Sequence, residues 1–303
     1  MTFSDRLSAS AAMVEAALEE LLDSTVHVGE TARPPRLMAA MRHAVLGGGK
    51  RLRPFLVIET ARLLGREGPG VVKAACALEL VHCYSLVHDD LPAMDDDDLR
   101  RGRPTVHKAF DEATAILAGD ALLTLAFEVA AAPAPGVVAA AQLELVRGLA
   151  RAAGLGGMVG GQSLDLAAEG RYGDTPPDEA GIRVLQAMKT GALLAFSVEA
   201  GAILGQAAPE TRRALVSYGR ALGAAFQIAD DLLDREADTA ALGKRAAKDA
   251  DKGKATLVDA LGLADARAMR DKAAAEAIAA LALLGAEADG LREAARFTAE
   301  RRS

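Results

Sequence analysis

An all-α architecture is the fold class that this 303-residue sequence predicts, on three observations. Aromatic residues make up only 3% of the chain, with seven Phe, three Tyr and no Trp, while Ala and Leu dominate over β-branched residues, the reverse of what strand surfaces prefer. Apolar residues recur at helical spacing, as in Ile182, Leu185, Met188 and Leu193, or Ala221, Leu222, Ala225 and Phe226. No stretch alternates with period two over a strand length, and no fixed-length repeat of the solenoid kind is present. With 51% hydrophobic and 25% charged residues, the composition excludes disorder.

Breaking residues set the element boundaries in order. They predict loops at Ser24 to Pro35, Gly65 to Gly70, Pro92 to Pro104, Pro133 to Gly136, Gly170 to Pro177, Gln206 to Pro209 and Arg235 to Lys254. Helix-length segments lie between them, about ten to twelve in number. No connecting stretch is long, polar or Pro-rich enough to mark a boundary, so residues 1–303 read as a single helical domain.

Thirty-five basic against 42 acidic residues leave a net charge of −7, which argues against a surface built for nucleic acid. No apolar run reaches the roughly 18 to 20 residues of a membrane span, and Met1-Thr2-Phe3-Ser4-Asp5-Arg6 lacks the shape of a signal peptide. A cytoplasmic protein is expected. Cys76 and Cys83 lie seven apart, two turns along one helix face, and read as buried packing thiols rather than a disulfide or a metal site.

Two acidic constellations carry the chemistry. The first runs His88-Asp89-Asp90-Leu91-Pro92-Ala93-Met94-Asp95-Asp96-Asp97-Asp98 and is followed by Arg100 and Arg101. Taken alone, such a run is as well read as a solvated acidic loop. The apolar stretch Leu80 to Val87 before it instead places the first carboxylates at the end of a buried helix, where they are costly without a cation. Asp89 and Asp95, six apart, stand about 240° out of phase on an ideal helix. They can share an ion only if the helix is distorted between them, and Pro92 is placed to do that. The second constellation is Phe226-Gln227-Ile228-Ala229-Asp230-Asp231-Leu232-Leu233-Asp234, in which Asp230 and Asp234 lie about 40° apart on one helix face. Two such motifs predict facing helices that present oxygen ligands to several hard cations. Mg²⁺ suits them, because it takes a few carboxylates and completes its shell with water and phosphate oxygens.

Basic residues accompany the acidic ones. Gly47-Gly48-Gly49-Lys50-Arg51-Leu52-Arg53-Pro54 sets three glycines before a basic cluster, a candidate phosphate cradle without the ending of a nucleotide P-loop. Lys189-Thr190-Gly191 interrupts an apolar helix, and Lys244 and Lys254 follow the second acidic motif. Each alone reads more simply as a surface charge. Beside the acidic motifs they suggest binding of a diphosphate and stabilisation of it as a leaving group.

These motifs, in this order and spacing, resemble the short-chain trans-prenyl diphosphate synthases, and among them the bacterial farnesyl diphosphate synthases. The resemblance rests on Gly48 to Pro54, His88 to Gly102, Gly160-Gly161-Gln162, Lys189 to Gly191 and Phe226 to Asp234, and covers nearly the whole chain. It implies an isoprenoid-synthase fold of mostly antiparallel helices around a deep central cavity, and a homodimer. The implied reaction condenses isopentenyl diphosphate onto dimethylallyl or geranyl diphosphate, with three Mg²⁺ ions per site once diphosphate is bound. By the same resemblance Asp89 and Asp95, with Asp90, and Asp230, with Asp231 and Asp234, are metal ligands. Arg100, Lys189, Lys244 and Lys254 contact the allylic diphosphate, and Lys50, Arg53, His82 and Arg101 the isopentenyl diphosphate. Thr190 and Gln227 stand by the C–O bond that breaks.

Tyr84 lies five residues, about 7.5 Å of helix rise, before Asp89. A ring there, with Ser85 beside it, floors a pocket after three isoprene units, and in the resemblance this aromatic goes with farnesyl products. Geranylgeranyl synthesis is the nearest alternative. A non-catalytic subunit of a heteromeric synthase would be expected to lose Asp residues, and a terpene cyclase has no use for Lys50 and Arg53. The chain departs from the family pattern at Ala246-Ala247, where a Gly is usual, and its Arg-rich end (Arg296, Arg301, Arg302) reads equally as a closing segment or a solvated tail.

Overall fold

The computed structural model describes residues 2–173, 175–242 and 256–300; the expectations on Lys244, Ala246, Ala247, Lys254, Arg301, Arg302 and the Asp234 side chain lie outside the described residues. Among these, fourteen α-helices, a π turn, a 3-10 turn and one two-stranded ribbon are present. Two of the helices, α5 (Val106–Ala109) and α12 (Leu257–Leu261), are single turns, so the array is that of the sequence reading. The chain forms two compact units, one of Met1–Ile58 with Arg66–Val146 and one of Glu59–Gly65 with Arg147–Ser303.

The first unit holds α1 (Phe3–Leu21), α2 (Pro35–Val45), the start of α3 (Leu52–Leu63), α4 (Pro69–Asp89), α5, α6 (Glu112–Ala131) and the start of α7 (Ala139–Ala153). Thr2 and Asp5 close a reciprocal cap on α1. Helix α4 is apolar on every side and buried along most of its length, including Cys76, Leu80, Cys83 and Tyr84. Helix α6 lies along it, and Gly119 permits the approach: a Cβ there would stand 2.1 Å from His88 Nε2. After α4 the chain forms an antiparallel ribbon, β1 (Leu99–Arg100) with β2 (Arg103–Pro104). Arg101 (φ 53°) and Gly102 (φ 74°) make its two-residue turn, the left-handed pair that a tight hairpin needs. The period-two pattern of two-residue strands is too short to register in the sequence, so the ribbon is an addition to the all-α reading.

The second unit contains α8 (Met158–Ala168), α9 (Glu179–Gln186), a π turn (Ala187–Gly191), α10 (Ala192–Leu204), α11 (Pro209–Leu242), α12, α13 (Leu263–Ala280) and α14 (Asp289–Glu300). Helix α11 is its axis, packed against α10, α13 and α14. Fully buried Tyr218 ties α11 to α14, its hydroxyl donating to Leu291 O at 2.7 Å. Ile228 and Leu232 of α11 cluster with Ile182, Leu257, Val258 and Ala266, which joins α9, α12 and α13 to the helix that carries the second acidic motif.

Two expectations are corrected. The loop read from Arg235 is helical as far as Leu242, because Glu236, Ala237, Ala240 and Ala241 are strong helix formers. Three helical segments are long and apolar enough by length and composition to cross a membrane, contrary to the reading that no run qualifies: Pro69–Asp89, Glu112–Ala131 and Glu179–Leu204. Ala-rich windows with one or two charges pass such a test, and here 67%, 44% and 56% of them is buried inside the protein. The cysteines are free and buried, as the spacing suggested. Burial pushes both thiols up to about 12.

Candidate functional site

In the first unit the loop between α2 and α3 is organised around Arg51. Its backbone is left-handed (φ 48°), a conformation that disfavours any residue with a Cβ. The side chain holds it there: Nη1 donates to Glu79 at 2.6 Å, Nη2 to Glu15 at 2.6 Å and to Val45 O at 2.5 Å. With the Arg51 side chain 1% exposed and that of Glu79 3%, this is a buried ion pair with its hydrogen-bonding capacity largely used. Lys50 stands exposed beside it and Arg53 half-buried.

The glycines of this loop make room for arginines. A Cβ on Gly47 would lie 2.8 Å from Arg103 Nη1 and one on Gly49 2.5 Å from Arg101 Nη1, and Arg101 donates to Gly48 O. The ribbon and the loop therefore form one basic surface, which sets guanidinium groups beside the glycines read as a phosphate cradle. His82 lies close enough to feel them. Burial and then the charges of Arg53, Arg101, Arg51 and Arg100 hold its imidazole well below the usual range, so the ring is neutral.

Helix α4 ends at Asp89, and the chain then folds back on itself. Asp95 N–H donates to Asp89 O at 2.8 Å and Asp97 N–H to Asp90 O at 3.2 Å. The break expected at Pro92 is present, and it brings Asp95 alongside Asp89. Asp90 is buried, and its Oδ1 accepts from Arg100 Nε at 2.7 Å and Nη2 at 2.5 Å. Thr105 braces the same turn by donating to Asp97 O at 2.9 Å. Five residues before Asp89, the Tyr84 ring is buried and packs edge-on against His88, centroids 5.8 Å apart. Burial and then the Asp89 charge push its phenol up to about 12. Ser85 is half-buried, its hydroxyl donating to His82 O at 2.8 Å.

In the second unit Lys189 and Thr190 sit on the π turn, a widening of the helix common at functional positions. Glycines on two neighbouring helices touch it. A Cβ on Gly161 of α8 would stand 2.1 Å from Lys189 N, and one on Gly223 of α11 would stand 3.0 Å from Gly191 Cα. Lys189 donates to Asp165, also on α8. At the start of the turn, Gln186 Nε2 donates to Asp231 Oδ2 at 2.7 Å, and Gln227 Nε2 donates to Asp231 Oδ1 at 3.0 Å. Burial pushes the Asp231 carboxyl up, against the lowering effect of Gln227, Gln186 and the Leu257 N–H. Asp230 is half-buried next to it.

Among the described residues no three His, Cys, Asp or Glu side chains converge into a ready-made ion cage. The donor set nevertheless fits Mg²⁺, which binds through one or two carboxylates and takes further oxygens from water and phosphate. Sequence reasoning missed Arg51, Glu15, Glu79, Asp165 and Gln186. Glu79 had a signal, a lone acid inside the apolar helix α4; the others are visible only through their partners.

The polyprenyl synthetase family model matches residues 34–283. The farnesyl diphosphate synthase of Haemophilus influenzae is 44% identical over 256 residues, covering 84% of this chain and 85% of the relative. Geranylgeranyl pyrophosphate synthase 11, chloroplastic, of Arabidopsis thaliana is 44% identical over 260 residues, 84% of this chain and 71% of the relative. Among solved structures, the apo FPP/GFPP synthase of Zymomonas mobilis superposes with a TM-score of 0.86 at 43% identity, covering 98% of both chains.

Replacing Arg51 with Met leaves Glu79 buried and unpaired, and is expected to cost about 3–5 kcal/mol in urea denaturation. A loss below about 1 kcal/mol would rank the pair with surface ion pairs instead. His82 predicts a pH dependence of stability. Below its ordinary value of 6.5 the unfolded chain takes up a proton that the folded imidazole resists, so stability falls with falling pH. His82→Gln is expected to flatten the melting-temperature profile between pH 6.5 and about pH 5, measured by differential scanning calorimetry.

Proposed function

The chain belongs to the polyprenyl synthetase family, and from that membership we propose that it is a farnesyl diphosphate synthase, joining isopentenyl diphosphate head to tail first with dimethylallyl and then with geranyl diphosphate. Identity separates the two product classes only slightly, since relatives named for farnesyl products stand at 41–48% and those named for geranylgeranyl products at 41–44%. The observation that carries the farnesyl product is Tyr84, a buried ring on apolar α4 five residues ahead of Asp89.

Each residue's proposed role follows from its chemistry. Asp89, Asp95 and Asp230 would hold three Mg²⁺ ions, whose positive charge stabilises diphosphate as it leaves. Arg100 and Lys189, with Lys244 and Lys254, contact the allylic diphosphate and favour it most when the C–O bond has broken and its charge is greatest. Asp90 and Asp165 orient Arg100 and Lys189. Thr190 and Gln227 offer oxygen dipoles to the allylic cation. Lys50, Arg53, Arg101 and neutral His82 hold isopentenyl diphosphate. Its alkene attacks the cation, the new C–C bond forms, and the proton lost from the adduct passes to the departed diphosphate. Apolar walls keep water from quenching the cation.

We also propose a cytoplasmic homodimer working as one helical domain. Reduced, buried cysteines suit that compartment, and the exposed Ile116 (45%) and Leu117 (57%) of α6 suit a second copy.

Incubation with Mg²⁺, isopentenyl diphosphate and dimethylallyl diphosphate is expected to give a C15 diphosphate, read by chain-length analysis. Absence of any elongation overturns the proposal. Tyr84→Ala removes the floor and is expected to shift the product to C20 or longer; a mutant that still stops at C15 places the floor elsewhere.

A further inference from the structure

The second acidic motif contains two adjacent carboxylates in different situations. Asp230 is half-buried, whereas Asp231 is 8% exposed and both its oxygens accept from side-chain amides, Gln186 at 2.7 Å and Gln227 at 3.0 Å. The backbone N–H of Leu257, at the start of α12, reaches the same carboxylate. Three elements thus meet on one side chain: the end of α9 where the π turn begins, α11 itself, and α12.

A carboxylate can only accept hydrogen bonds, so each glutamine must turn its NH₂ towards Asp231 and its carbonyl oxygen away. For Gln227 this fixes the amide with Oε1 outermost. For Gln186 it pins the residue directly before the turn that carries Lys189 and Thr190. We propose that Asp231 is a positioning residue rather than an ion ligand: with Gln186 it braces the π turn on α11 and sets the orientation of the Gln227 amide. This deepens the transferase reading and rests on it. The brace assigns a role to Gln186, which lies outside every motif, and divides the acidic pair into one ligand, Asp230, and one anchor.

Three variants of the full chain test it: Asp231→Asn, Gln186→Met and, as the ligand comparator, Asp230→Asn. Asn keeps the volume of Asp231 but can donate, which frees the Gln227 amide to flip. Asp231→Asn and Gln186→Met are each expected to lower kcat about tenfold through misplaced groups. The Mg²⁺ concentration for half-maximal rate and the KM for isopentenyl diphosphate are expected to stay within about twofold of the parent. Asp230→Asn is expected to raise the Mg²⁺ requirement. A rise for Asp231→Asn matching that of Asp230→Asn makes Asp231 a ligand and overturns the brace, as does an unchanged kcat in both brace variants. A second readout needs no turnover and stands even where the transferase reading fails. In the metal-free protein Gln186→Met leaves Asp231 short of a donor and is expected to lower the melting temperature by about 2–4 °C. An unchanged melting temperature overturns the brace independently of any assay for product.

Discussion

A carboxylate removed from water must meet a cation or accept hydrogen bonds, and the arrangement of both units depends on how that demand is met. Glu79 is met by Arg51, Asp90 by Arg100, Asp165 by Lys189, and Asp231 by two amides. Apart from Gln227, which shares α11 with Asp231, the partners come from different elements, so the contact that satisfies the charge also fixes one element against another. Stability and site geometry therefore rest on the same bonds. Among the described residues five acids are buried, Glu59, Glu79, Asp90, Asp165 and Asp231, and the first four of these meet a basic group beside them.

Close approach is the second constraint, and glycine supplies it. A helix-interior glycine costs roughly 1 kcal/mol against alanine, so its presence in α8 and α11 needs a reason. The reason is steric. Gly161 and Gly223 let two helices reach the backbone of the π turn, where any side chain would stand within 2.1 Å and 3.0 Å of it. In the loop before α3 the same device admits the guanidinium groups of Arg101 and Arg103.

Helix content, most loop positions, the buried thiols and the break between Asp89 and Asp95 were legible in the sequence, because periodicity, breakers and phase angles are local properties. What stayed hidden depends on partners distant along the chain. Arg51 reads like Lys50 and Arg53 in a basic run, and only its left-handed backbone and its bonds to Glu15 and Glu79 set it apart. Asp90 and Asp231 look like their neighbours until their hydrogen bonds are known. The ribbon at Leu99–Pro104 is too short to carry a period, and the packing of Arg101 and Arg103 against the Gly47–Gly49 run was hidden because these arginines lie some fifty residues away.

The π turn follows from the same two constraints acting together. On an uninterrupted α-helix, residues three and four apart share a face, so Gln186, Lys189 and Thr190 would all point towards one neighbour. Their partners are on different helices: Gln186 reaches Asp231 on α11, and Lys189 reaches Asp165 on α8. The extra residue that a π turn accommodates rotates the following side chains relative to Gln186, which allows one short segment to be gripped from both directions. A regular helix here would cost either Asp165 its bond from Lys189 or Asp231 its bond from Gln186. The irregular backbone is thus the arrangement that satisfies both acids at once, and it carries Lys189 and Thr190 between them.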